Sequence, residues 1–158
     1  MKPNASIEAE TSGAPPRPTL GWLLATVRAE LVRAIEAEFA HQSVDLSFTQ
    51  YLILKKSQEL GAVSATELAR AVELDGGAMT RQLDHLERKG YLRRTPHAQD
   101  RRALRIELTD AGHIMWRDTA HVCSDRVMNA AQRSLDAMER AQLHDYLERV
   151  LNTLRDKP

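Results

Sequence analysis

The sequence predicts a mainly α-helical protein with one small β-hairpin, in which long helices flank a central helix–turn–helix. Apolar residues recur at steps of three and four through most of the chain, which is the period of an amphipathic helix. Residues 104–108 instead alternate apolar and polar side chains, as a half-buried strand does. Capping patterns and glycines separate the helices, so their order can be followed along the chain.

The chain begins with a tail and a long helix. Residues 1–18 mix proline, small and polar residues without a period, so we expect a disordered tail. Thr19 is placed as a helix cap. Apolar residues then continue at helical spacing from Leu20 to Phe39 and predict a helix that ends near His41.

Two capping boxes mark the helices that follow. In a capping box, a serine and the residue three positions later each satisfy a backbone N–H at the start of a helix. Ser47 with Gln50 opens one helix, which Gly61 ends through its access to positive φ. Ser64 with Glu67 opens a second, shorter helix directly afterwards.

The next segment completes a helix–turn–helix and adds a hairpin. Asp75 caps a helix over 76–89, and Gly90 ends it. The stretches YLRRT and RALRIEL then predict two strands around a projecting polar tip. Because a two-stranded ribbon is not stable alone, it must pack on the helices before it. Residues 46–109 are therefore predicted to form a winged helix–turn–helix.

Two further helices close the chain. Thr109 starts a helix of roughly twenty residues, and Asp136 with Glu139 caps a last one. Like the first helix, they carry an apolar face too wide to remain in water. We therefore predict that residues 19–45 and 110–156 form a helical dimerisation region that pairs with a second copy.

Charge is balanced overall but concentrated locally. The chain has 22 basic and 22 acidic residues, yet residues 81–105 contain eight basic and three acidic ones. That local excess of five positive charges suits a surface that touches a polyanion. A solvated basic surface is the alternative from charge alone.

No apolar run is long enough for a membrane span, and the single Cys123 fits a reducing compartment, so we expect a cytoplasmic protein without membrane contact.

The predicted helix over 76–89 is the candidate for recognition of double-stranded DNA. A major groove admits one α-helix, and a helix–turn–helix presents its second helix there. The outward positions expected at DNA are Gly76, Gly77, Ala78, Thr80, Arg81, Asp84 and His85. Arg81 has the forked geometry that reads guanine, whereas an ordinary surface arginine is the alternative.

The hairpin is expected to reach the flanking minor groove, where narrowed walls attract arginine. The wing residues assigned to DNA binding are Arg94, Asp100, Arg101 and Arg102. Arg101 is the choice for insertion, Arg102 for support, and Asp100 for pairing within the chain. Arg93 and Arg94 lie on opposite faces of a strand, so only one of them is expected to meet DNA.

The same residues resemble the MarR (multiple-antibiotic-resistance regulator) family of bacterial repressors. The motifs that carry the resemblance, over residues 19–155, are Leu68-Ala69, Thr80-Arg81, Leu86-Glu87, Lys89-Gly90, Asp100-Arg101-Arg102 and Leu108-Thr109 leading to Gly112. The resemblance implies a homodimer whose first and last two helices interlock, with paired winged domains on a near-palindromic operator. It also implies release of DNA by a small aromatic or phenolic ligand, while other members sense oxidants or metals.

A ligand pocket is implied between the dimer helices and the winged domain. The candidate effector-binding residues are Trp22, Phe48, Tyr51, Met115 and Trp116. Plain core packing is the alternative for each of them. Arg28 or Arg33 is the candidate partner for an aromatic carboxylate, and spacing alone does not choose between them.

Rival functions find less support in the sequence. Cys123 is a candidate redox switch, but a small buried residue at the dimer interface is the favoured interpretation. The six histidines lack ligand spacing, so no metal site and no cofactor are expected. No catalytic motif is found, so an enzyme is not expected. A constitutive or architectural DNA-binding protein shares every feature of the predicted wing, and a winged module for protein contacts is a further alternative.

Overall fold

The computed structural model describes residues 17–96 and 104–156. The helices and strands in chain order are α1 (Leu20–His41), α2 (Phe48–Leu60), β1 (Val63–Ser64), α3 (Ala65–Ala71), α4 (Gly76–Arg88), β2 (Leu92–Pro96), β3 (Leu104–Leu108), α5 (Asp110–Ile114), a π-helical segment (Met115–Ala120), α6 (His121–Ala131) and α7 (Ala137–Arg155). The predicted fold class is confirmed, because a small antiparallel sheet accompanies a mainly helical chain and lies beside the helix–turn–helix.

The sheet has three strands where the sequence predicted a two-stranded hairpin. Its order is β1-β3-β2, and Val63 of β1 pairs with Ile106 of β3. The Nε of Arg105 donates to the carbonyl oxygen of Ala62 at 3.0 Å and extends this join. A strand of two residues is too short to show alternation, so only its distant partner defines it. The extra strand ties the wing to the chain ahead of α3.

The core lies where α2, α3, α4 and β3 meet. Ile53 and Leu54 of α2, Leu68 of α3, Leu86 of α4 and Ile106 of β3 are at most 1% exposed. Burying a side chain of this size stabilises the fold by about 1.5–3 kcal/mol. The wing and the helix–turn–helix therefore share one core, which fixes the direction in which α4 faces.

The predicted helix starts are confirmed. Ser47 with Gln50 forms the capping box of α2, and Ser64 with Glu67 forms that of α3. The Oδ1 of Asp75 accepts a hydrogen bond from the N–H of Ala78 at 2.8 Å. The turn between α3 and α4 is consequently set by its own sequence.

The helix predicted after Thr109 contains a π-helical segment. Residues 115–120 separate α5 from α6, and Trp116 lies within them. A π-helical turn takes one more residue than an α-helical turn and is often found at functional sites. Hydrophobic periodicity did not reveal it, because one inserted residue barely changes a pattern of steps of three and four.

Parts of the flanking helices expose apolar faces. α7 has no buried residue, and Tyr146 and Leu154 on it are 56% and 62% exposed. The first turns of α1 are exposed as well, including Leu20 and Trp22. None of the described helices is long and apolar enough to cross a bilayer.

A close contact joins the winged region to the long helix. A Cβ on Gly112 would lie 2.0 Å from the carbonyl oxygen of Tyr91, well inside van der Waals distance. The backbone is held there because the N–H of Thr109 donates to the same oxygen at 3.1 Å. The Oγ1 of Thr109 also donates to the carbonyl oxygen of Gly90 at 2.5 Å. Only glycine fits at position 112, because any Cβ would overlap the carbonyl oxygen of Tyr91.

Gly112→Ala is therefore expected to destabilise the protein by about 1–3 kcal/mol, the usual cost of overpacking. Thermal unfolding should show this as a fall of several degrees in Tm. Gly21→Ala is the matched control, because a Cβ there meets nothing within 4 Å. The control should melt at or slightly above the wild-type temperature. Equal melting of wild type and Gly112→Ala would contradict the close-contact explanation.

Candidate DNA-binding surface and ligand cavity

Helix α4 buries one face and exposes the other. Met79, Leu83 and Leu86 are at most 2% exposed and anchor the helix in the core. The predicted recognition residues lie on the outer side, with Gly76, Gly77, Thr80, Arg81, Asp84 and His85 exposed and Ala78 half-buried. The structure thus brings the predicted set together on one outward surface.

The first turn of α4 is compact and open to approach. A Cβ on Gly76 would meet no atom within 4 Å, so space lies beside the helix at this point. Thr80 folds back, and its Oγ1 donates to the carbonyl oxygen of Gly76 at 2.8 Å. Arg81 follows on the exposed surface. A groove wall can approach the helix backbone closely here, with the guanidinium of Arg81 one turn further along.

Asp84 and Arg94, both predicted to contact DNA, contact each other within the chain. The Nη2 of Arg94 donates to the Oδ1 of Asp84 at 2.6 Å, and its Nη1 donates to the Oε2 of Glu87. Arg93 on the other face of β2 pairs across the sheet with Glu107 at 2.7 Å. Contact of Asp84 or Arg94 with DNA stays a prediction, and each now has a partner within the chain.

The wing tip lies outside the described residues. Asp100, Arg101 and Arg102, predicted to bind DNA there, fall in the range 97–103. The paired strands lead up to this range, since Pro96 of β2 pairs with Leu104 of β3. The roles assigned to the three tip residues therefore stay predictions.

A polar network that sequence reasoning missed ties α4 to the start of α2. The Nε2 of Gln50 donates to the Oε1 of Gln82 at 3.2 Å. The Nζ of Lys89 donates to the Oε1 of Gln50 at 3.2 Å and to the carbonyl oxygen of Asp45 at 2.5 Å. The capping-box pattern predicts only a capping role for Gln50, and a glutamine within an amphipathic helix gives no signal that it is buried. The network fixes the start of α2 against the second half of α4.

A cavity of about 380 Å³ lies between α1, α2 and α6. Its lining residues are Leu24, Val27, Arg28, Leu31, Val32, Ile35, Phe48, Tyr51, Leu52, Lys55, Ser124 and Met128. Among these described lining residues, two side chains are cationic and none is acidic. The arrangement is apolar with a few polar groups, which is the usual make-up of a small-molecule pocket.

Tyr51 adds a hydroxyl group to the cavity wall. Its hydroxyl and the Oγ of Ser124 are 2.8 Å apart in a buried hydrogen bond. Burial raises the pKa of the Tyr51 phenol, although the bond to Ser124 acts in the opposite direction. The phenol therefore stays protonated and neutral near pH 7, so it is suited to hydrogen bonding and not to charge pairing.

The five predicted effector residues divide into three groups. Phe48 and Tyr51 line the cavity, with their ring centroids 5.8 Å apart. Trp116 packs behind Tyr51 at 5.5 Å, and Met115 is half-buried beside the core. Trp22 is 59% exposed on α1 and is not among the lining residues. Of the two candidate cations, the lining includes Arg28, whereas Arg33 pairs with Glu30 at 2.8 Å.

The structure disfavours redox sensing through Cys123. Its side chain is buried within the chain itself, between α6 and α1, at 4% exposure. Burial raises the pKa of the thiol, and the nearby Glu38 raises it further against the opposing effect of Arg126. A reactive cysteine needs a lowered pKa and access to solvent. Among the described residues, no group of three or more His, Cys, Asp or Glu could hold a metal ion.

Comparison with known proteins agrees with this geometry. The model of the MarR family matches residues 46–104. The HTH-type transcriptional regulator SarZ of Staphylococcus haemolyticus is 32% identical over 108 residues, which cover 68% of this chain and 71% of SarZ. The chain belongs to the MarR family. The multiple antibiotic resistance protein MarR of Salmonella typhimurium is 29% identical over 108 residues, covering 68% of this chain and 75% of that protein.

Solved structures of MarR from Escherichia coli share the fold. The apo form of the wild-type protein superposes with a TM-score of 0.76 at 26% identity, over 86% of this chain and 99% of that one. A mutant in complex with operator DNA superposes with a TM-score of 0.75 at 26% identity, over 84% and 93%. As a MarR-family protein, this chain is a DNA-binding transcriptional regulator, and SarZ is named a transcriptional regulator.

Arg81→Ala is expected to weaken binding to a specific DNA site by about 1–3 kcal/mol per contact, because a forked contact to guanine is lost. Base preference should relax at one symmetric position of each half-site, as measured by binding to single-base variants of the site. Arg117→Ala is the control, since Arg117 is an exposed arginine that pairs with Asp118 on the π-helical segment. An equal loss on specific and random DNA would make Arg81 a phosphate contact instead.

Proposed function

We propose that this MarR-family regulator is a homodimeric repressor that leaves a near-palindromic operator when a small aromatic or phenolic effector binds. The observation that carries the proposal is the exposed polar face of α4, set beside a wing in the fold that E. coli MarR shares. That relative was solved in complex with operator DNA, which supports an operator as the ligand of this chain as well.

In this proposal α4 enters the major groove and the wing reaches the adjacent minor groove. Gly76 and Gly77 allow close approach, and Arg81 reads a base edge. Arg101 inserts at the wing tip with Arg102 in support. The phosphate contacts supply most of the affinity, so binding weakens steeply as salt is added.

Dimerisation is proposed to cover the apolar faces of α1 and α7. The exposed residues on these faces are Leu20, Trp22, Leu23, Leu24, Val27, Met138, Leu143, Tyr146, Leu147, Val150, Leu151 and Leu154. Monomeric proteins rarely leave contiguous apolar patches of this kind in water, and such patches mark interfaces. A second copy presents the same two faces, so pairing buries both at once.

The cavity between α1, α2 and α6 is the proposed effector site. Its volume of about 380 Å³ suits a molecule with one or two aromatic rings. Phe48 and Tyr51 offer ring faces, whereas Arg28 and Lys55 offer positive charge to an anionic group. An aromatic ring that bears a carboxylate therefore fits this lining better than a cationic ligand does.

The proposal is tested by binding of the purified protein to labelled DNA from just upstream of its own gene. Two salt concentrations, excess random competitor and a panel of substituted benzoic acids and phenols complete the experiment. Competitor-resistant binding that one of these compounds abolishes supports an effector-released repressor. Specific binding that withstands the whole panel would replace it with a constitutive or architectural DNA-binding protein.

Arg28→Ala is expected to raise the concentration of aromatic carboxylate needed for half-maximal release by about tenfold or more, since a charge-assisted hydrogen bond contributes roughly 1.5–3 kcal/mol. DNA affinity without the compound should stay close to wild type. Arg33→Ala removes the same charge from the same helix outside the cavity lining and should leave release unchanged. An equal effect of both variants would show a general electrostatic cause, and isothermal titration of compound into protein separates binding from release.

A further inference from the structure

We propose that Arg94 is a positioning residue, which holds the wing strand β2 against the recognition helix α4 through Asp84 and Glu87 and makes no DNA contact. This inference rests on DNA binding by the α4 surface, and it goes beyond that function by naming what sets the geometry of the surface. It also changes the role that the sequence suggested for Asp84, from a base contact to an internal anchor.

The position of Arg94 on β2 directs its side chain toward α4. Alternate residues of a strand share a face, so Arg94 lies on the same side as Leu92, which is 3% exposed against the core. The Cα of Arg94 pairs with that of Ile106, another core residue. Arg93 points to the opposite face, where it pairs with Glu107. Arg94 therefore emerges from the edge of the core directly beside the helix.

Asp84 and Glu87 are spaced to receive both arms of the guanidinium. Residues three apart lie next to each other on a helix surface, so the two carboxylates form one acceptor pair. Nη2 of Arg94 donates to Oδ1 of Asp84 at 2.6 Å, and Nη1 donates to Oε2 of Glu87. The side chain of Arg94 is 26% exposed, less than either partner. A planar fork can bridge two carboxylates in this way, whereas the compact ammonium of a lysine cannot reproduce the geometry.

Arg94 also reduces the repulsion between DNA phosphates and the carboxylates of Asp84 and Glu87. Two carboxylates on a helix that enters a groove repel the phosphates on both sides. Arg94 bridges the two carboxylates and offsets part of their negative charge through contacts within the protein. Removing Arg94 consequently has two effects, because it frees the strand and exposes both negative charges to DNA.

The contact of Arg94 with Asp84 and Glu87, called the Arg94 brace from here on, lies close to the point where the wing projects. β2 leaves the end of α4, and the undescribed range 97–103 begins directly after it. Arg94 lies midway along β2, so its attachment to α4 sets the angle at which the hairpin projects. That angle decides whether the major-groove contacts of α4 and the minor-groove contacts of the wing form at the same time.

A set of variants separates a brace from a DNA contact. Binding to specific and random DNA is measured against salt for wild type, Arg94→Ala, Arg94→Lys, the double variant Asp84→Asn with Glu87→Gln, and that double variant combined with Arg94→Ala. Arg93→Ala is the matched control on the opposite face of the strand. Circular dichroism spectra must coincide before affinities are compared.

The brace predicts a loss of about tenfold in specific affinity for Arg94→Ala and a comparable loss for Arg94→Lys, with a smaller loss on random DNA. The salt slope should stay at the wild-type value, and the effect of Arg94→Ala should shrink in the Asp84→Asn, Glu87→Gln background. Arg93→Ala should change affinity little. A phosphate contact would instead be kept by Arg94→Lys, cost the same in both backgrounds, and lower the slope by about 0.9 per contact. That result would overturn the proposal.

Thermal unfolding without DNA tests the brace even if no specific site is found. Arg94→Ala should lower Tm by a few degrees in the wild-type background and by clearly less in the Asp84→Asn, Glu87→Gln background. Equal shifts in both backgrounds would refute the brace whatever the DNA results. Absence of any specific DNA binding by wild type, with coupled Tm shifts, would leave the brace standing and count against the proposed function alone.

Discussion

The first turn of α2 connects three parts of the molecule, and the rest of the structure depends on it. Gln50 bonds to Gln82 on α4, while the next residue, Tyr51, bonds to Ser124 on α6. Consecutive helical residues point about 100° apart, so one turn holds the recognition helix on one side and the long helix on another. The bond of Tyr51 to Ser124 is buried, and Gln50 is itself buried, so loss of either bond leaves an unsatisfied polar group inside the protein. The two helices therefore keep a fixed relation as long as this turn keeps its place.

The turn also borders the cavity, because Phe48 and Tyr51 belong to the cavity lining. Under the proposed function, an effector in the cavity touches the same segment that positions α4. A ligand shifts an equilibrium only by as much as its affinity differs between the two states. In that proposal, the difference would come from a bound ring that displaces Tyr51 or Phe48 and so disturbs the neighbouring contact of Gln50 with Gln82 of α4. The Arg94 brace acts at the other end of the surface and keeps the wing aligned with that helix.

Local patterns in the sequence predicted the helices well, because capping boxes and apolar periodicity act over a few residues. They missed β1, which has two residues and is defined only by pairing with β3, some forty residues away. They also missed the π-helical segment around Trp116. In the site, periodicity placed Arg81 outward and put Arg93 and Arg94 on opposite faces. The sequence did not predict the partners of Arg94. Asp84 and Glu87 belong to another element, and spacing along the chain does not show which elements pack together.

If two copies of α4 read DNA together, as proposed, the protein should prefer DNA that carries two related half-sites. We would incubate the purified protein with a pool of random DNA fragments, recover the bound ones over several rounds and sequence them. A dimer of this kind should select a two-fold symmetric motif whose half-sites are centred about one helical turn apart, roughly 34–36 Å. Recovery of a single asymmetric half-site, or no enrichment over random sequence, would contradict it.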